Sequence, residues 1–150
     1  MRVVVQRVSS ARVDSEGQLL GQIGAGLLIF LGIGKTDTDE DGAWLAEKLA
    51  AMRIFPDEAG QMNRSVRDIG GEILVVSQFT LFASTRKGTR PSFNDAARPE
   101  QAIPLYERFL AQMETALGRA PARGKFGADM QVSLINDGPV TVVVDSRLRE

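Results

Sequence analysis

The stretch LLIFLGI, Leu27 to Ile33, runs seven residues without a charge or a polar side chain. A continuous apolar run of that length suits a strand buried on both faces, since a half-exposed strand would alternate. EILVV, Glu72 to Val76, reads the same way. Around these two buried strands the rest of the chain has to supply cover. Arg2 to Val8 and Gln18 to Ile23 read as strands, with Asp14-Ser15-Glu16-Gly17 as the turn between them. Asp37 to Asp41 reads as the entrance to a helix, with Thr38 a candidate N-cap and acids in the first turn. Leu45, Leu49 and Met52 then keep helical spacing, with Trp44 beside them. A second helix is expected from near Ile103, where Ile103, Tyr106, Leu110, Met113 and Leu117 make one apolar stripe. Pro104 would sit in its first turn and Gly118 would end it. Met130 to Ile135 and Val140 to Val144 finish the chain as two strands. About seven strands and two main helices, with little strict βαβ alternation, predict an α+β fold. Its helices would cover one side of a largely antiparallel sheet, in a single domain over residues 1–150.

Composition narrows the chemistry sharply. The chain has no histidine and no cysteine. A Ser-His-Asp triad, a thiol nucleophile and an ordinary zinc site are therefore excluded, as are disulfides. Proton transfers would fall to carboxylates, Lys, Tyr, backbone groups, water or the substrate. No metal and no cofactor are expected. No apolar run approaches a membrane span, and MRVVVQRVSS alternates instead of forming a signal h-region. A cytoplasmic protein without membrane contact is the expectation.

Net charge is −1, which indicates no global attraction to nucleic acid. Locally the balance shifts. Asp37 to Glu58 holds seven acids and two bases, whereas Ser84 to Pro99 holds Arg86, Lys87, Arg90 and Arg98 against Asp95 alone. Arg119 to Lys125 adds three more bases. Solvated loops and a local basic surface are both open readings.

Two apparent nucleotide motifs fail on spacing. GIGKTD lacks the glycine five places upstream that a phosphate loop needs, since that place is Ile29. Gly24 and Gly26 are followed by Ile29 where a dinucleotide fingerprint has its third glycine. Both read as turns. SQFTLFAS, Ser77 to Ser84, differs because it follows a buried strand. Ser77, Gln78 and Thr80 there are either strand-end hydrogen bonders or site residues presented by a rigid scaffold. Near the other end, NDGPVTVVV places Asp-Gly between apolar runs, the usual announcement of a hairpin. Pro139 blocks that reading, because the turn would need an N–H that proline lacks.

Together, SQFTL (Ser77 to Leu81) and NDGPVT (Asn136 to Thr141) resemble the two signature motifs of the D-aminoacyl-tRNA deacylases. MRVVVQRVSSARV, RKGTRPSF (Arg86 to Phe93) and KFGADMQVSLINDGPVT (Lys125 to Thr141) resemble the same family, so the likeness covers essentially the whole chain. The resemblance implies hydrolysis of the ester joining a D-amino acid, or glycine mischarged on tRNA-Ala, to the terminal ribose of tRNA. It implies a homodimer in which a cis Gly138-Pro139 element of one subunit enters the other's site. There its main-chain carbonyls would hold the substrate's α-ammonium and exclude an L-side chain by clash. It further implies that the reacting carbonyl lies beside SQFTL, with N–H groups around Phe79 and Thr80 stabilising the oxyanion and Gln78 helping hold the terminal adenosine. Thr80 is then either a nucleophile or a wall of a pocket in which the ribose 2′-hydroxyl activates water. Phe126 and Met130 would line the adenine or aminoacyl pocket, or serve as ordinary core. Arg86, Lys87 and Arg90 would meet tRNA phosphates. Two rival readings stand beside this one: an RNA-binding module that captures acylated tRNA without cleaving it, and a structural dimer whose Gly-Pro turn serves strand exchange.

Overall fold

In the computed structural model, which describes residues 1–149, the apolar run forms strand β3 (Gly26–Gly32). Its side chains enter two cores. Leu27, Ile29 and Leu31 join one cluster with the helices, whereas Leu28 joins a second one, against which Phe30 packs. A strand with a core on each face has no use for a polar side.

The other strands are β1 (Arg2–Ser15), β2 (Gln18–Ile23), β4 (Phe55–Pro56), β5 (Met62–Arg64), β6 (Glu72–Ser77), β7 (Ala122–Arg123) and β8 (Gln131–Asp145). The helices are α1 (Asp39–Ala51) and α2 (Pro99–Leu117). The main sheet runs β2-β1-β3-β6-β7, with β8 paired to β1. β1 pairs antiparallel with β2, β3 and β8, but β3–β6 and β6–β7 are parallel. The sheet is thus mixed, which qualifies the largely antiparallel expectation. The physical reason lies in the connections. α1 falls between β3 and β6, and α2 between β6 and β7, so each helix carries the chain back for a parallel start. The sheet also curls until β2 meets β7, partly like a barrel: a Cβ on Gly21 would lie 3.0 Å from the Arg123 carbonyl. The curl encloses the second core, built from Val8, Val13, Ile23, Leu28, Leu74 and Val76. Helices cover one face of the sheet, as expected, and the curl covers the other.

α1 starts at the expected cap. The Asp41 carboxylate accepts from the Thr38 N–H at 2.9 Å, and Leu45 and Leu49 are fully buried. α2 begins at Pro99, earlier than the expected start near Ile103. Pro104 therefore falls in the second turn and withholds an N–H from the Glu100 carbonyl. Tyr106 and Met113 face inward as the stripe predicts and Phe109 joins them, whereas Ile103 is left at 42% exposure. Gly118 ends the helix in the left-handed conformation, as anticipated. The two strands expected at the C-terminus form one, β8, interrupted by a bulge. Between the partners Val8↔Asn136 and Gln6↔Thr141, β8 takes five steps where β1 takes two.

Magnitudes say what holds this together. Exposed pairs such as Arg108–Asp39 and Arg12–Asp14 are screened by water and add little. A single buried Leu or Phe contributes about 1.5–3 kcal/mol, so the two apolar cores dominate.

Candidate active site

β6 ends at Ser77 and the chain tightens at once into a 3₁₀ turn, Phe79–Phe82. The turn is placed by its neighbours. The Gln78 N–H donates to the Leu31 carbonyl at 2.8 Å, tying the strand end to β3. Beneath it, β3 closes with Gly32, where a Cβ would lie 3.0 Å from the Gln78 carbonyl and from Leu81 Cβ. Any larger residue there would lift the turn. From behind, the Arg2 guanidinium donates to the Leu81 carbonyl at 2.8 Å and lies 4.8 Å from the Phe82 ring centroid.

The first internal bond of the turn runs from the Leu81 N–H to the Gln78 carbonyl at 3.2 Å. The N–H groups of Phe79 and Thr80 precede it, and so neither is used inside the turn. The Gln78 side-chain amide donates to the Thr80 hydroxyl. An N–H donor can hold that oxygen but cannot take its proton.

A pocket of about 290 Å³ opens beside this turn, its walls including Ser77, Gln78, Phe79, Phe126 and Met130. Five of the expected residues are thereby brought together, although Thr80 is not among the lining residues. Phe126 owes its place to α2 and β7. Its ring lies 5.7 Å from that of Tyr106, over which the Arg123 guanidinium stacks at 5.4 Å, and Arg123 is gripped by the Glu107 carboxylate. Burial pushes the Tyr106 phenol up to about 12, so this wedge stays neutral at ordinary pH. Asp129, exposed at the mouth, is the one carboxylate on the wall. It stands in FGADM between the apolar wall residues Phe126 and Met130, where its charge is the feature of that segment that the apolar pattern hides. Among the described residues no three His, Cys, Asp or Glu side chains gather as a metal site would require.

Gly138 and Pro139 lie elsewhere. The peptide between them is cis and sits in the β8 bulge, and neither residue lines the pocket. The bulge is pinned at its base, where the Asn136 amide donates to the carbonyls of Arg7 and Val140, each at 3.0 Å. The Arg7 guanidinium, buried to 9% exposure, donates to the carbonyls of Ile54 at 2.6 Å and Asp137 at 3.0 Å. Arg7 went unnoticed in the sequence. Its signal was there, because it shares the inward alternation of Val3 and Val5 on β1, where a cation needs partners. The Thr141 hydroxyl accepts from the Gln6 amide of β1 at 3.1 Å and donates to the Asn136 side chain across the bulge at 3.4 Å. Arg86, Lys87 and Arg90 are exposed on the loop that leaves the turn, outside the pocket.

Comparison of the sequence with known proteins points to one family. The family model described as D-Tyr-tRNA(Tyr) deacylase matches residues 4–145. A D-aminoacyl-tRNA deacylase from Opitutus terrae is 63% identical over 150 residues, covering the whole of both chains. Another from Akkermansia muciniphila is 62% identical over the same length, again with full coverage of both. Among solved structures, one titled c-Myc DNA Unwinding Element Binding Protein superposes with a TM-score of 0.90 at 41% identity, covering 97% of this chain and 98% of that one.

Proposed function

Since this chain belongs to the D-Tyr-tRNA(Tyr) deacylase family, we propose that its pocket hydrolyses D-aminoacyl-tRNA through main-chain oxyanion stabilisation and substrate-assisted attack by water. The enzyme is a hydrolase acting on aminoacyl-tRNA. The observation that carries the mechanism is the pair of N–H groups, Phe79 and Thr80, left unused at the edge of a pocket large enough for an aminoacyl group. As water adds to the ester carbonyl, negative charge grows on its oxygen, and these donors stabilise that charge. The neighbouring ribose 2′-hydroxyl takes the proton of the water while passing its own proton to the 3′-oxygen. The C–O bond to the 3′-oxygen then breaks, and free D-amino acid and tRNA leave. Gln78 holds the adenosine end, and Phe126 and Met130 form the apolar wall. Thr80 contributes its backbone N–H and a hydroxyl that anchors the Gln78 amide, and is not a nucleophile: there is no histidine anywhere in the chain to act as base.

Selection between D and L falls to Gly138-Pro139 of a second subunit, whose carbonyls receive the α-ammonium. Two features support this. The bulge that carries them is held rigidly by Arg7 and Asn136, yet it does not reach the pocket of its own chain. β8 also has one edge without a strand partner among the described residues, an open site for a second copy. Because the gate tests a clash at the α-carbon, glycine on tRNA-Ala passes it as well. Arg86, Lys87 and Arg90 contact the tRNA backbone. Among the described residues no helix is long and apolar enough to cross a membrane, and we place the enzyme in the cytoplasm, where its substrate is made.

The test uses purified protein with D-tyrosyl-tRNA and L-tyrosyl-tRNA. Cleavage of the D-ester alone is expected. Thr80→Ala should keep activity within about tenfold, whereas a 2′-deoxy terminal adenosine should cost about a hundredfold or more. A Thr80→Ala protein without activity would restore the nucleophile, and undiminished cleavage of the 2′-deoxy ester would remove the ribose from the mechanism.

A further inference from the structure

We infer that Phe79 and Phe93 form a stacking site for the base of the nucleotide that precedes the terminal adenosine, a subsite that rests on the deacylase reading and extends it. Phe79 lines the pocket yet keeps 55% of its surface exposed, and Phe93 keeps 36%. Their rings meet edge to face, 5.2 Å apart at 75°. Two large rings packed on each other and left facing solvent are not covered by either core. The pair stands at one particular place. On one side is the pocket, through Phe79. On the other is the Arg86–Arg90 loop, whose base is closed by reciprocal backbone hydrogen bonds between Ser84 and Ser92 at 2.8 and 3.0 Å. Phe93 directly follows that closure, so its position is set by the clamp and not by the loop tip.

The order along the surface is therefore pocket, aromatic corner, exposed cations. A single-stranded acceptor end presents matching chemistry in the same order: the acylated adenosine, the next base with its π-face, then further phosphates. Aromatic rings beside a cationic track are the usual means of holding single-stranded nucleic acid, because every base has a face to stack and every nucleotide a charge. In an edge-to-face pair only one ring has a face covered by its partner, and both rings here keep exposed surface on which a base can stack. Stacking there would hold the acceptor end in line with the pocket and orient the ester before reaction.

The subsite is tested with two D-tyrosyl esters, one of the dinucleotide cytidylyl-adenosine and one of the same dinucleotide made abasic at its first sugar. For the unaltered enzyme the base-bearing ester should show kcat/KM about tenfold higher, the size one base–aromatic stack supplies. Phe93→Leu, which keeps apolar bulk but loses the ring, should abolish that gain, and Phe93→Tyr should keep it. Equal rates on the two esters for the unaltered enzyme, or a gain that survives Phe93→Leu, would overturn the subsite while leaving deacylation standing. An enzyme that cleaves none of these esters, nor D-tyrosyl-tRNA, would overturn the deacylase reading and the subsite with it.

Discussion

At the scale of single residues, the site is built more by what backbone groups do than by side-chain chemistry. Gly138 shows this most clearly. Its φ of +136° is one that side chains rarely tolerate, and an added Cβ would lie 2.8 Å from both the Val140 nitrogen and Cγ2. Gly138→Ala must therefore move the bulge away from its Arg7 and Asn136 anchors. The expected outcome is a loss of D-over-L selectivity of about tenfold or more, with a fall in Tm of only a few degrees. Paired deacylation assays and a thermal melt check both, and unchanged selectivity would take the gate away from this residue. Gln78, Phe79, Phe126 and Met130 could be found in the sequence because they stand in motifs. Arg2 and Gly32 could not. Their part is to hold the turn from behind and below, which requires knowing that β1, β3 and the turn meet.

At the scale of elements, the turn after β6 depends on β1 and β8 through Arg2. Its guanidinium reaches the turn at Leu81 and the Asp145 carboxylate of β8 at 3.0 Å. Burial pushes the Asp145 carboxyl up, but hydrogen bonds from the Arg147 N–H and from Arg2 outweigh it and hold the group below the ordinary 3.8. A depressed carboxyl adds stability above its unfolded value, and that stability is lost as pH falls through the lower folded value. Asp145→Asn should thus lower Tm by about 2–4 °C near pH 7, and the difference should shrink as pH falls below the ordinary carboxyl value and vanish once the folded group is protonated. A deficit that persists undiminished in acid would show that the charge on Asp145 is not what matters. Element types were readable from periodicity and element edges were not. The expected helix start near Ile103 missed the first turn of α2, since Pro99 and Ala102 carry no apolar stripe of their own.

At the scale of the whole molecule, the two parts of the proposed site are separate in a single chain: the Gly138-Pro139 bulge does not reach the pocket beside Phe79. β8 also exposes Ile135 at 61% and Val143 at 65% along a strand with an open edge. A charge at either position should prevent a second copy from docking there. Val143→Lys is expected to run as a monomer of 16.3 kDa by light scattering and to lose D/L discrimination together with most activity. A folded monomer that still discriminates would show that each chain completes its own site.

Read by itself, the chain settled its two buried strands, its two helices, the absence of histidine and thiol chemistry, and the two motifs that carry the family likeness. These are local or compositional facts, and periodicity and spacing express them directly. Tertiary structure alone decided that β3, β6 and β7 run parallel and that the sheet curls onto a second core. It also decided that Arg7 grips the bulge and that Phe79 and Phe93 share an exposed corner. Each of these joins residues far apart in the chain, and the alternation of side chains carries no information about which distant backbone they will meet.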